Sequence, residues 1–371
     1  MKVAMVVPGG VDRGGTERVI PVLLGMIGRV AREHELHVFA FHQESEAGTW
    51  PLRGATVHNA GRPRSAARAL RDLVAEHRRR PFAVMHGVWC GPGLVAAAAG
   101  RLLRRPALVH LVGGDAAALP EIGYGLLRTP GGRLRLRTVA ALAAHLTANS
   151  DYNVRLMAAR GVRAERVPYG VGVDEWPPLP PRRRRPGAEA RLLFVGSLNR
   201  VKDPCTLVRG MAALRARGVA FRLDVVGEDL LGGEVHRLAA DLGLSSIVHF
   251  HGFLPQARLR PLMERADALL VTSRHECGPI VALEAALCGV PTLGTPVGHL
   301  ADWAPEAAVP FPAGDADALA ETAAALLGDE ERRLRVAFAA QRRALHDDAD
   351  RAAARVLDIY RELTRTRERT S

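Results

Sequence analysis

Two carboxylates eight positions apart carry the most readable chemistry in this 371-residue chain. In Ser273-Arg274-His275-Glu276-Cys277-Gly278-Pro279, followed by Ile280 to Glu284, the first carboxylate lies in a loop and the second lies inside the helix that the loop opens. Pro279 suits the first helical position, where its missing N–H costs nothing and its fixed φ starts the turn. Glu276 is thereby delivered to a helix mouth whose free N–H groups and dipole favour a phosphate. Glu284, set among Val281, Leu283, Ala285 and Leu287, requires hydroxyl or N–H partners. The pair fits a ligand that carries both phosphates and sugar hydroxyls. An acidic helix start plus a satisfied core carboxylate is the plainer reading of the same residues. A glycosidase pair is disfavoured: eight helical residues span about 12 Å, beyond the roughly 5 to 9.5 Å between paired acid and base carboxylates.

Three further loops follow strand-like runs. Pro8 to Arg18 holds Gly9, Gly10, Gly14 and Gly15, which let the backbone approach a ligand, but it is neither G-x-G-x-x-G nor a P-loop. The stretch Val195-Gly196-Ser197-Leu198-Asn199-Arg200-Val201-Lys202 places one of only two lysines, beside 49 arginines, after a glycine-bearing strand end. Lys202 there is a candidate point charge for a phosphate, and Arg200 a candidate fork for the same diphosphate. Gly227, closing Val225-Val226, is a weaker candidate for backbone room beside a nucleotide. His86 and His110 end strand-like runs, where a polar group can reach a ligand, although a hydrogen-bonded structural histidine is the ordinary explanation for each.

These loops need strands and helices to position them. From Val3 to Val167, and again from Arg191 to Leu293, strand-like and helix-like stretches alternate, the pattern of parallel sheets covered by helices. Between them Trp176-Pro177-Pro178-Leu179-Pro180-Pro181-Arg182-Arg183-Arg184-Arg185-Pro186-Gly187 cannot hold a helix or strand interior and reads as an exposed, stiff linker. The expected organisation is an α/β chain of two facing domains with a cleft: residues 1–170, a linker at 171–190, a second domain at 191–350, and a final helix at 351–371 that packs back on the first domain. In open α/β sheets, ligands bind beyond the carboxyl ends of the strands.

Composition narrows the classes. No apolar run is long enough to read as a membrane span, and the short start Met1 to Pro8 is no signal peptide, so the expected location is the cytoplasm. Cys90, Cys205, Cys277 and Cys288 lack zinc-site spacing and read as reduced thiols. Of the net charge of +12, residues 1–180 carry +10, from 24 Lys+Arg against 14 Asp+Glu. That bias, in Arg62, Arg64, Arg68, Arg71, Arg78 to Arg80 and the arginines from Arg101 to Arg137, suits an anionic acceptor or the inner face of an anionic membrane; solvated helix faces explain it equally well. Nothing in it has the aromatic-basic interleaving of a nucleic-acid binder.

Taken together, Gly14-Gly15-Thr16-Glu17-Arg18, the Gly196 to Lys202 loop and Glu276-x7-Glu284 resemble the retaining glycosyltransferases of family 4, which have the two-domain GT-B fold of facing Rossmann-like domains. The resemblance spans nearly the whole chain. It implies transfer of a hexosyl group from a nucleotide-diphosphate sugar to a hydroxyl of a glycan, lipid-linked or small-molecule acceptor, with retention and without a bound metal or other cofactor. By resemblance, Arg200 and Lys202 neutralise the leaving diphosphate, with Gly196 and Ser197 beside them. Glu276 meets donor sugar hydroxyls, Cys277, Gly278, Pro279 and Ile280 offer backbone N–H groups to the phosphate, and Glu284 binds the ribose. Gly14 and Gly15 lie near the diphosphate or the acceptor. The chain departs from the family pattern with Ser197 where Arg is usual, Val112 where His is usual, and Tyr169 where Asn is usual. The competing readings are a noncatalytic nucleotide-sugar or anionic-glycan binding protein and a GT-B-like epimerase.

Overall fold

The computed structural model describes residues 1–368 apart from 17 and 64. Glu17 of the first glycine loop, Arg64 of the basic stretch and the last three positions of the expected final helix lie outside the described residues. The chain divides into two compact units, Met1–Gly170 with Asp348–Ser371, and Val171–Asp347.

In the first unit the strands β1 (Lys2–Val7), β2 (Glu35–Ala40), β3 (Gly48–Leu52), β4 (Ala55–Asn59), β5 (Val84–Val88), β6 (Ala107–Leu111), β7 (His145–Ala148) and β8 (Glu165–Arg166) form one sheet, ordered β3-β4-β2-β1-β5-β6-β7-β8. Its helices are α1 (Pro21–Glu33), α2 (Ser65–Arg79), α3 (Cys90–Leu103), α4 (Pro130–Leu142) and α5 (Asp151–Ala158). Strand β1 is buried along its whole length, which explains its unbroken apolar run: a central parallel strand has both faces covered. The β3–β4 pair is antiparallel, a hairpin that the alternation did not reveal because Pro51 sits inside it. Proline is tolerated there because β3 is the edge strand. Trp50 of β3 buries its ring and donates its indole N–H to the Val11 carbonyl at 3.2 Å. Helix α1 begins at Pro21, directly after Ile20.

The C-terminal helix (Ala349–Glu368) is part of this first unit. Ala352, Ala353, Val356, Ile359 and Tyr360 are buried, and Asp350 pairs with Arg29 of α1 at 2.6 Å. Arg355 forks onto Glu165, with one arm at 2.9 Å. Helix propensity alone would leave an isolated amphipathic helix marginal; this apolar stripe supplies the stabilising burial.

The second unit is a sheet of six parallel strands, β9 (Ala190–Val195), β10 (Phe221–Val226), β11 (Val248–Gly252), β12 (Ala268–Val271), β13 (Thr292–Gly294) and β14 (Val309–Pro310), ordered β11-β10-β9-β12-β13-β14. Helices α6 (Pro204–Ala216), α7 (Glu234–Asp241), α8 (Gln256–Arg265), α9 (Ile280–Leu287), α10 (His299–Trp303), α11 (Ala316–Gly328) and α12 (Glu330–His346) surround it. The chain leaves β9 toward β10 on one side and later enters β12 on the other. This is a topological switch point, and the loops after β9 and β12 flank it.

The Pro/Arg-rich segment belongs to this second unit and is held along it, not free as a spacer. Trp176 is buried, and the Leu179 N–H bonds the Leu287 carbonyl at 2.8 Å. Arg182 and Arg184 turn onto Asp267, at 3.0 and 3.7 Å. Proline removes helix and sheet bonding from such a segment, so side-chain forks and a buried indole fix it instead.

Candidate functional site

The site in the second unit is built from the two loops at the switch point. Strand β9 runs out into Gly196, and β10 into Gly227, whose φ of 148° is in the region that favours glycine. A Cβ at Gly227 would stand 2.1 Å from the Gly196 carbonyl oxygen. The two strand ends therefore touch backbone to backbone, which gives Gly227 a role its sequence signal barely indicated. The next turn is wound by Asn199, whose Oδ1 accepts the N–H groups of Val201 and Lys202 at 3.1 and 3.0 Å. Asp203 then caps α6, accepting from the Thr206 N–H at 3.2 Å, with Pro204 at the first helical position.

These contacts aim Lys202 at the second loop, where its Nζ pairs with the Glu276 carboxylate. Ser273 donates its hydroxyl to the same carboxylate at 2.8 Å. The loops are laced together from both sides. The Thr272 hydroxyl donates to the Lys202 carbonyl at 2.8 Å, the Arg274 N–H to the Val201 carbonyl at 2.7 Å, and the Arg274 guanidinium to Asp203. Behind them, the Thr295 hydroxyl donates to the Ser273 carbonyl at 2.6 Å, and Gly298, with φ 53°, lets its loop lie against the Cys277–Gly278 backbone. Lys202 and Glu276 are each partly exposed and so remain accessible to a ligand.

Pro279 is the residue just before α9, not its first helical residue, and its extended ψ of 106° turns the chain into the helix. Glu284 stands in the second turn of α9, half-buried. Burial, reinforced by the nearby Glu175, pushes its carboxyl up to about 7. Among the described residues, no cation pairs with this carboxyl.

The structure thus brings together Gly196, Ser197, Lys202, Gly227 and Glu276, with Cys277, Gly278, Pro279 and Ile280 leading into α9. Arg200 is exposed. Asn199, Asp203, Thr272, Ser273, Arg274 and Gly298 were not singled out in the sequence. Only Asp203-Pro204 followed by Thr206 carried a signal, that of a helix start.

Gly14, Gly15, His86 and His110 lie in the first unit. The glycine loop is braced from within: the Gly14 N–H bonds Asp12 at 3.1 Å, and Gln43 accepts from Gly10 and Val11 at 2.7 and 2.9 Å. The histidines do not reach an opening, contrary to the expectation for strand ends. His86 is buried, with its Nδ1 2.6 Å from the Tyr360 hydroxyl of the C-terminal helix. His110 is buried with its Nδ1 2.6 Å from the Thr147 hydroxyl and its ring against Tyr169. Desolvation pushes both imidazoles down to about 3, so they are neutral. The C-terminal helix roofs this face of the sheet, which the local sequence around the histidines does not record. Asp115, also buried, accepts from the N–H groups of Cys90 and Val112 at 3.2 and 3.1 Å and ties the loops after β5 and β6.

Known proteins resemble this chain in sequence and fold. The family pattern described as glycosyl transferases group 1 matches residues 179–343. A D-inositol 3-phosphate glycosyltransferase 2 from Catenulispora acidiphila is 36% identical over 181 residues, 44% of this chain and 42% of that protein, so the match spans less than half of the relative. A GDP-mannose-dependent alpha-(1-6)-phosphatidylinositol monomannoside mannosyltransferase from Mycolicibacterium smegmatis is 28% identical over 86% of this chain and 87% of its own length. Among solved structures, a sucrose-phosphate synthase from Thermosynechococcus elongatus superposes with a TM-score of 0.81 at 19% identity, covering 98% of this chain and 99% of that one. HepE from Anabaena, solved with UDP and glucose, gives 0.75 at 18% identity, covering 98% of this chain and all of the other. The chain has the two-unit α/β architecture of the GT-B class of glycosyltransferases. Within that class, this chain is related to the glycosyl transferases group 1.

Proposed function

We propose that the chain transfers a hexosyl group from a nucleotide-diphosphate sugar to an acceptor hydroxyl, with retention of anomeric configuration. The observation that carries this reading is the meeting of Lys202 and Glu276 on the two loops at the switch point, the one a point charge for a diphosphate and the other an acceptor for sugar hydroxyls. Lys202 takes up charge as the sugar–phosphate bond breaks, with Arg200 as a second cation, and the N–H groups of Cys277, Gly278 and Ile280 complete the phosphate cradle. The leaving phosphate receives the acceptor proton on the same face of the sugar. Glu284 binds the ribose hydroxyls. Gly14 and Gly15 are the first unit's ligand contacts, and the buried His86 and His110 are assigned no proton transfer.

The acceptor class is an anionic polyol or its lipid-linked form. Two relatives are named for inositol-phosphate and phosphatidylinositol-mannoside substrates, and the first 180 residues of this chain carry +10 of its charge. Among the described residues, no helix is long and apolar enough to cross a membrane. Contact with an anionic bilayer, at the cytoplasmic face, is therefore proposed as peripheral and electrostatic: liposome binding should vanish at moderate salt, and its absence at low salt on anionic lipid overturns it.

The test is a binding and turnover panel of uridine, guanosine and adenosine diphosphate sugars in metal-free buffer, with acceptors that include inositol phosphates. Donor-dependent glycosylation with a retained anomer is expected. Tight donor binding with no turnover would instead identify a binding protein, donor isomerisation an epimerase, and no donor binding at all would defeat the reading.

Glu284 gives this proposal a pH signature. Hydroxyl donors favour the ionised carboxylate, so donor binding should draw a proton off Glu284. Affinity should then rise from pH 6 toward 8, by at most about tenfold per unit below its pKa, and level off above it. In Glu284→Gln the rise should disappear and donor binding at pH 8 should weaken. The same substitution should raise thermal stability more at pH 8 than at pH 5. The native carboxyl, with its folded pKa raised, loses stability as pH climbs through that value. Calorimetric titrations at the two pH values check both signs; a pH-independent native affinity would remove Glu284 from the ribose contact.

A further inference from the structure

A second cluster of charge lies at the opposite end of the same sheet. Strands β9, β10 and β11 turn Ala190, Leu192, Phe221, Leu223 and Val248 into the main core, so the intervening residues face the other side. There the register sets Arg222 directly beside Arg191 and Asp224 beside His249. Like charges opposite one another in a sheet are destabilising, and nothing in the folding of β9 and β10 requires them there. Arg265, at the end of α8, adds a third guanidinium to the same cavity of about 480 Å³, a size typical of small-molecule sites.

The acidic groups in this cavity do not balance the three arginines. Asp224 is engaged by His251 at 2.6 Å, and Glu189 lies 3.7 Å from Arg222. Among the described residues, no carboxylate pairs with the guanidinium of Arg191 or of Arg265. His249 lines the same cavity with a buried Nε2 that has no hydrogen-bond partner among the described residues. That nitrogen is closed off from solvent, so the guanidinium groups are the cations a ligand in the cavity would meet.

We propose that this cavity binds a compact phosphomonoester dianion, held by Arg191, Arg222 and Arg265. Guanidinium forks match phosphate oxygens in pairs, and three of them lining one cavity suit a group with three terminal oxygens. The site is separate from the one assigned to the nucleotide sugar. Arg191 precedes Gly196 by five extended residues, about 16 Å along β9. It goes beyond the proposed transfer reaction and does not depend on it.

The experiment is isothermal titration of the full chain with inorganic phosphate, glucose 1-phosphate and sulfate. It is repeated on Arg191→Gln/Arg222→Gln and on Lys202→Ala, with circular dichroism to verify folding of each. Arg191 and Arg222 have exposed side chains, so the double variant should fold. Binding of either phosphate that falls at least tenfold in the double variant and is unchanged in Lys202→Ala supports the site. Preference for glucose 1-phosphate over inorganic phosphate identifies an organic ester as the ligand, and the reverse identifies free phosphate; both keep the site. Equal binding of sulfate, loss in Lys202→Ala but not in the double variant, or no heat from any probe at millimolar concentration overturns it. Arg191→Lys/Arg222→Lys gives a further check: a planar fork site should recover only part of the affinity.

Discussion

Lys202→Ala should lower kcat/KM for glycosyl transfer by about 10²- to 10³-fold, the usual loss when one preorganised group facing a developing negative charge is removed. Its ammonium is a compact charge at the carboxyl end of β9, in a chain with just one other lysine, so no neighbouring lysine can substitute. The fold should survive, because Lys202 is partly exposed and the turn around it is held by Asn199 and Asp203. Lys202→Arg should recover only part of the loss, since a guanidinium presents a plane where the site holds a point. Steady-state kinetics on the best donor and acceptor, with a denaturation curve for each variant, decide the matter. A variant that keeps more than a third of wild-type kcat/KM would remove Lys202 from the reaction.

Asp267→Ala should be the most destabilising single change away from the site, by about 2 to 4 kcal/mol. Breaking a buried ion pair from one side costs about 3 to 5 kcal/mol, and exposure of Arg182 reduces the figure. Asp267 is buried; it accepts the Arg191 N–H at 2.8 Å and faces the guanidinium of Arg182 at 3.0 Å and that of Arg184 at 3.7 Å. Removing it strands a backbone donor and leaves cations without their counter-charge. Arg333, almost wholly buried, holds the same corner by bonding the Asp267 carbonyl at 3.2 Å and Glu330 at 2.7 Å. Asp267→Asn should cost less, because its amide oxygen still accepts the Arg191 N–H. Urea denaturation of both variants measures this. A loss below about 1 kcal/mol in Asp267→Ala would mean that water replaces the carboxylate easily, and that the Pro/Arg segment is anchored elsewhere.

Local pattern made much of this molecule readable. Buried parallel strands read as short apolar runs, helices as amphipathic stretches, and the switch from one period to the other delivered nearly every element of the second unit. The hairpin at β3 escaped because a strand containing proline is recognisable only once its place at the sheet edge is known. Gly227 looked like an ordinary strand-ending glycine, and its contact with Gly196 is visible only when β9 and β10 lie side by side. The histidines failed in the opposite sense. His86 and His110 end strands as expected, but the burial that makes them neutral comes in part from Tyr360 and Tyr169, 274 and 59 positions away.

By itself the sequence determined which residues could carry charge and hydrogen bonds to a sugar nucleotide: a rare lysine after a glycine, and two glutamates eight positions apart, one before a helix and one within it. Those are properties of residue type and short-range spacing, which a chain cannot hide. Tertiary structure decided what they meet. Lys202 and Glu276 are 74 positions apart and come together because β9 and β12 are neighbours across the switch point. The arginine-rich segment is held along the second unit by Asp267, by the buried Trp176 and by the Leu179–Leu287 bond, for the same physical reason: pairing between distant elements depends on the register and order of the whole sheet.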